Sequence, residues 1–161
     1  MTVLTRILLT LLLIPATALP AAAARADAYV DLVDFPEGED NWDRFYALED
    51  QLIRDFDYIC GDTFCEGEYT NLIALQFRCS VHAASATMQQ CVLVIGGGNL
   101  DVDTYSGELI ADNRTWACTA PLGPATPVET FHAALEGRDA LQVPLPGSGV
   151  SLHYGLIDCL Y

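Results

Sequence analysis

The chain has 161 residues, of which 22 are Asp or Glu and seven are Lys or Arg, for a formal net charge of −15. All seven cations are arginines, so Schiff-base chemistry and a phosphate-binding P-loop lysine are excluded. So acidic a balance also argues against nucleic acid and anionic membrane surfaces, both of which demand basic contacts, and favours a cationic partner such as a basic protein.

Residues 1–26 read as a secretory signal peptide. Arg6 precedes an apolar run, Ile7 to Ile14, which Pro15 and Pro20 break before a series of small residues with A-x-A frames. The run is shorter than the roughly 20 residues a membrane-spanning helix needs. Removing residues 1–26 takes away Arg6 and Arg25 but no acid, which moves the formal charge from −15 to −17. No second long apolar run follows, so the expectation is an exported protein, periplasmic or extracellular, without stable membrane insertion after cleavage. The remainder suffices for one domain. Residues 27–40 read as an acidic, loosely docked arm, and residues 41–161 as a single α+β domain.

The first predicted element is a helix over DNWDRFYALEDQLIRDFDYIC. Asp40 or Asn41 is placed to cap it. Phe45, Leu48, Leu52, Phe56 and Ile59 recur at spacings of three and four, forming one apolar face bordered by Trp42 and Ile53. Gly61 suits a left-handed stop. From Asn71 onward the period becomes two. Ile73, Leu75, Phe77, Cys79 and Val81 alternate in one segment, and Cys91, Leu93 and Ile95 in the next. A hairpin turning through Ala83–Thr87 sets Cys79 opposite Cys91, Phe77 opposite Leu93 and Leu75 opposite Ile95. Gly96, Gly97 and Gly98 then suggest a bulge or bend, and GELIADNRTWAC a third strand. Thr126-Pro127-Val128-Glu129 has the form of a capping box opening a short helix that ends near Gly137. A last helix falls in GVSLHYGLIDCLY. The expected fold is therefore an N-terminal amphipathic helix packed on a three-stranded antiparallel meander, followed by two short helices. The element order resembles that of cystatin-like rolls in architecture alone.

Cys60, Cys65, Cys79, Cys91, Cys118 and Cys159 are even in number, and an exported chain is expected to oxidise them. The hairpin register favours Cys79–Cys91. Cys118 and Cys159 then tie the last helix to the sheet, and Cys60–Cys65 closes a local loop. Chain entropy ranks these closures at about 2 kcal/mol for Cys60–Cys65, 3 for Cys79–Cys91 and 4 for Cys118–Cys159. A redox role for CGDTFC fits poorly: the pair follows a helix instead of starting one, and Asp62 and Glu66 oppose thiolate formation.

The loop CGDTFCEGEYTN combines Asp62, Glu66 and Glu68 with Phe64 and Tyr69. A pinned turn of this composition offers a binding edge, with carboxylates for a partner's arginine or lysine and aromatics for the contact centre, and its alternative is a solvated connection with Phe64 folded inward. No catalytic residue, metal site or cofactor is expected. His82, His132 and His153 lack zincin spacing and read as surface or half-buried, and no G-x-S-x-G elbow accompanies Ser148 and Ser151. IGGGNLD lacks the G-x-G-x-x-G pattern, and DVDTYSGE departs from a calcium loop and reads as a turn. Asn113-Arg114-Thr115 is a glycosylation sequon. The leading functional expectation is an exported, non-enzymatic acidic binding protein, an inhibitor or immunity-type partner of a cationic protein. A small secreted hydrolase and a structural component of an envelope or extracellular assembly are the alternatives.

Overall fold

The computed structural model describes residues 28–161; the expected leader, residues 1–26, lies outside them. The elements run β1 (Tyr29–Asp31), a 3-10 turn (Leu32–Asp34), α1 (Glu39–Cys60), a 3-10 turn (Phe64–Glu66), β2 (Ile73–His82), β3 (Thr87–Val102), β4 (Leu109–Thr119), α2 (Val128–Leu135) and α3 (Leu152–Leu160). The fold is mixed α+β, with one antiparallel sheet in the order β1-β2-β3-β4.

Two expectations are corrected at the N-terminal end. The sheet has four strands, not three, and a strand precedes the first helix. Residues of the acidic arm supply that strand: Tyr29, Val30 and Asp31 pair with His82, Val81 and Ser80. Leu32 then enters the core and is completely buried. Asn41 holds the arm down instead of capping the helix, its Nδ2 donating to the carbonyls of Leu32 (3.0 Å) and Val33 (2.8 Å). The N-cap is Gly38, whose φ of 150° suits a residue without a Cβ. At the other end Gly61 stays right-handed, with φ −61°, so α1 runs into a tight turn with no left-handed stop.

The predicted apolar stripe of α1 is the centre of the core. Phe45, Leu48, Leu52 and Phe56 are buried together with Phe77, Leu93 and Ile95 from the sheet. Burying each such side chain stabilises the fold by roughly 1.5–3 kcal/mol. Phe131 of α2 stacks on Phe77 with centroids 6.5 Å apart, which closes the core from the side of the C-terminal helices. Glu49, on the flank of the same helix, accepts from the Phe77 N–H at 2.7 Å and so caps β2 where β1 no longer covers it.

The hairpin register places Cys79 opposite Cys91 and Phe77 opposite Leu93, as expected. The third pair differs: Ala74 faces Ile95, because the register slips between Ala74 and Gln76. Leu75 is left half in solvent on the outer face, where it covers Gly96. The glycine run does not interrupt β3. Pairing with β4 is continuous from Val92↔Thr119 to Val102↔Leu109. The glycines leave room for neighbours instead: a Cβ on Gly97 would lie 2.5 Å from Leu72 Cδ2. The T-x-x-E box also fails to form. Thr126 Oγ1 donates to the carbonyls of Gly123 and Pro146, and Glu129 turns toward Arg44. Ser151 does cap α3, accepting from the Tyr154 N–H at 3.2 Å.

All three expected disulfides are closed: Cys60–Cys65, Cys79–Cys91 and Cys118–Cys159. They fit an oxidising compartment. Among the described residues, no helix is long and apolar enough to cross a membrane.

Candidate functional site

The loop after α1 is built from its two aromatics inward. The chain leaves the helix through backbone bonds from Asp62 N to Ile59 O and from Thr63 N to Cys60 O, each 3.2 Å. The Cys60–Cys65 bridge closes the turn with its α-carbons 5.1 Å apart. Phe64 is buried, stacked on Phe56 at 5.8 Å and bordered by His153 and Tyr161. Tyr69 is buried edge-on against Trp116, and its hydroxyl donates to Asp112 Oδ2 at 2.6 Å. That hydrogen bond to a carboxylate, followed by burial, holds the Tyr69 phenol above its ordinary pKa. Phe64 and Tyr69 therefore anchor the loop and are not presented to a partner, which corrects the aromatic half of the expected binding edge. Their apolar bodies gain more from the core than from water.

The acidic half of that edge stands in solvent. Asp62, Glu66 and Glu68 are exposed along the outside of the loop. Tyr161 lies beside them, its hydroxyl bonded to the Thr63 carbonyl at 2.7 Å. A cleft of about 270 Å³ opens between this loop and the sheet, lined by Glu68, Tyr69, Arg114, Trp116 and Tyr161 among others. Arg114 lies over the Trp116 ring at 4.9 Å.

The exposed aromatics missing from the loop occur on α1. Asp43, Asp50 and Asp57 recur every seven residues, two helical turns apart, and all three are exposed. Tyr46 falls between the first two on the same face and is 47% exposed, with Trp42 beside it at 45%. Ion pairs among the described residues engage Asp31, Glu49 and Glu129 but none of these three aspartates. This stripe leads along the helix toward Asp62. The signal was present in the sequence as a heptad of aspartates, but the apolar face of the same helix is the stronger pattern, and Trp42 reads as its border.

A second cleft, about 330 Å³, lies between α1 and α2 and is lined by Arg44, Gln51, Arg54, His132 and Glu136 among others. Arg44 forks onto Glu129, at 2.7 Å from Nη1 and 3.2 Å from Nη2, and this bond holds the Glu129 carboxyl below its usual range. His132, which reads from the sequence as surface or half-buried, is fully buried, with only 2% of it exposed. Burial first, and then the Arg44 charge, push its pKa down to about 4. The imidazole is thus neutral at neutral pH. His82 and His153 are half-buried, the former bonded through Nδ1 to Ser85 Oγ at 2.7 Å. The clefts and the histidines do not converge on one constellation: His132 sits with α1 and α2, His82 at the β2–β3 turn and His153 on α3. In the DVDTYSGE turn, Asp103 Oδ1 accepts from the N–H groups of Tyr105 and Ser106, at 2.8 and 3.0 Å, which lowers its pKa and closes the turn.

Comparison of the chain with protein-family models, with curated proteins and with solved structures finds no match.

Proposed function

We propose that this chain acts outside the cytoplasm, in the periplasm or the exterior, as a non-enzymatic binding protein that captures a cationic protein partner, in the manner of an inhibitor or immunity protein. The observation that carries the reading is the exposed face of α1, where Asp43, Asp50 and Asp57 line up without an arginine partner among the described residues and Tyr46 stands among them. Carboxylates in this setting steer a basic partner and set its orientation, while an exposed tyrosine supplies contact area at low entropic cost. The helix is held rigid by its buried opposite face and by the disulfide at its end, so little ordering is needed on association. Asp62, Glu66 and Glu68 extend the same negative surface around the pinned loop.

Charge alone attracts any polycation, so the test must separate contact from attraction. The exported chain is immobilised and challenged with arginine-rich peptides and with basic proteins across a salt series. Saturable binding that weakens with salt, and that Asp43→Asn with Asp50→Asn and Asp57→Asn abolishes, is expected. The charge-neutral Tyr46→Ala should weaken it roughly tenfold. Failure to retain any cationic ligand at low salt, or retention indifferent to Tyr46, removes the proposal.

A further inference from the structure

β4 is the last strand of the sheet, and among the described residues nothing pairs with its outer edge. Which backbone groups that edge presents follows from three hydrogen bonds. Ala120 N donates to Cys91 O and Asp103 N to Glu108 O, while Gly98 N turns away from β4 to Asn71 Oδ1. Antiparallel pairs alternate between bonded and non-bonded. The pair Gly98↔Asn113 is therefore non-bonded across β3 and β4, and the N–H and C=O of Leu109, Ala111, Asn113, Thr115 and Ala117 point outward. At Thr119 the edge is blocked, because Gly155 of α3 packs against its carbonyl.

Part of this edge also belongs to a ribbon that β2 does not flank and that Asn71, Leu72 and Tyr69 touch at its root. β2 makes its last pair at Ile73↔Gly96, so beyond Gly96 the strands β3 and β4 continue as a two-stranded arm. Two-stranded ribbons are marginal in water unless something packs on them. Leu100 and Leu109 on this arm are 70% and 67% exposed.

We propose that the outer edge of β4 pairs with the same edge of a second copy of this chain, antiparallel about a two-fold axis at Asn113, so that one sheet runs through both molecules. Asn113 is the centre because the axis there sets outward groups against outward groups along the whole free edge. It places Asp112 of each copy opposite Arg114 of the other, with side chains on one face. Neither residue has an oppositely charged partner within 4 Å among the described residues. An axis one residue to either side would set Asp112 against Asp112 or Arg114 against Arg114, which like-charge repulsion disfavours. The same register lays Ile110 against Trp116 and Leu109 against Ala117, so each arm lies along the body of the other molecule. The edge charges that repel an arbitrary strand thus admit this chain's own. At about 0.15 M salt the Debye length is near 8 Å, which screens the repulsion between two acidic bodies more than the contact pairs.

The test is sedimentation equilibrium of the exported full chain at that salt, with Asp112→Arg and Arg114→Asp alone and mixed. A reversible dimer is expected for the natural sequence. Each single variant should raise its dissociation constant roughly tenfold or more, and the equimolar mixture should restore association through a heterodimer. Arg114→Asp leaves the Tyr69–Asp112 hydrogen bond in place, so its loss of pairing cannot be ascribed to that contact. Hydrogen exchange supplies a second reading: the amides of Ala111, Asn113 and Thr115 should slow on association. A natural chain that stays monomeric at its highest attainable concentration overturns the proposal. So does a dimer that both single variants leave intact, a mixture that fails to re-associate, or an edge that engages only a strand from a different protein.

Discussion

β3 passes through two environments while staying paired with β4 throughout. Its first half carries Cys91, Leu93 and Ile95 beneath α1, with strands on both sides and almost no solvent exposure. Its second half, from Gly97 to Val102, has β4 on one side only and leaves Leu100 and Val102 largely in water. The hydrogen-bond ladder is continuous through both. What differs is the second neighbour, β2, and burial, and together they set the free energy needed to open each part. The body is held by side chains. The arm is held by backbone pairing, by Asn71 and Tyr69 at its root, and by the Asp103 turn at its tip.

The contrast is sharpest where a single change releases a whole element from the body. Replacing Cys118 and Cys159 by serine removes the tie between β4 and α3 and should cost about 4 kcal/mol on the loop-closure estimate. Urea unfolding measures the loss, and proteolysis near Leu152–Leu160 should become the first cleavage. A loss near zero would mean that Leu152 and Leu156 hold α3 by packing alone. Leu93→Ala comes next, at about 3 kcal/mol, since Leu93 is almost fully buried and its neighbours cannot collapse freely into the gap.

Acid provides a third probe of the body. The folded state holds His132 with a pKa near 4, while the unfolded chain has the ordinary value near 6.5. Between those values the unfolded state binds more protons, so stability rises with pH across the window. The contribution is complete above pH 6.5 and is lost as pH falls toward 4, by about 2–3 kcal/mol. His132→Leu should flatten that part of the stability profile, read from urea midpoints between pH 4 and 7. A profile unchanged by this substitution would show that His132 is not the titrating group.

Much of the body was legible in the sequence, because burial writes itself as periodicity. The stripe from Phe45 to Phe56 and the alternation around Cys79 and Cys91 each gave the right element, and the alternation gave the register at Cys79–Cys91 and Phe77–Leu93 though not at Leu75. Legibility failed where no side-chain pattern accompanies the structure. β1 is three residues long, too short for alternation to register, and it is fixed by Asn41 reaching back from the helix. The slip at Leu75 changes which face a side chain occupies without changing any residue. Gly96, Gly97 and Gly98 carry no side chains to signal a strand, so the arm looked like a bend. At the candidate site the exposed carboxylates were readable from composition. The inward turn of Phe64 rests on Phe56 of the adjoining helix, one of the readings open in the sequence, whereas that of Tyr69 depends on Trp116, which arrives from a distant strand.

The smallest expected effect tests the comparison from the arm's side. Leu100→Ala removes as many atoms as Leu93→Ala from the same strand, yet Leu100 stands opposite Ala111 with most of its side chain in solvent. With the side chain already 70% exposed, its truncation leaves no cavity, and the change in stability should fall within about 0.5 kcal/mol. Urea midpoints at dilute and at high protein concentration make the reading specific. At dilution the monomer is measured, and a cost comparable to that of Leu93→Ala would mean that the arm is packed against part of the chain after all. At high concentration the β4 edges pair, but Leu100 sits on β3, one strand back from that seam, so its truncation should stay nearly silent there as well. Leu109→Ala, on the paired edge itself, should separate from it by lowering the concentration-dependent part of the midpoint alone. The two leucines then distinguish an arm that is merely exposed from one whose outer strand has a partner.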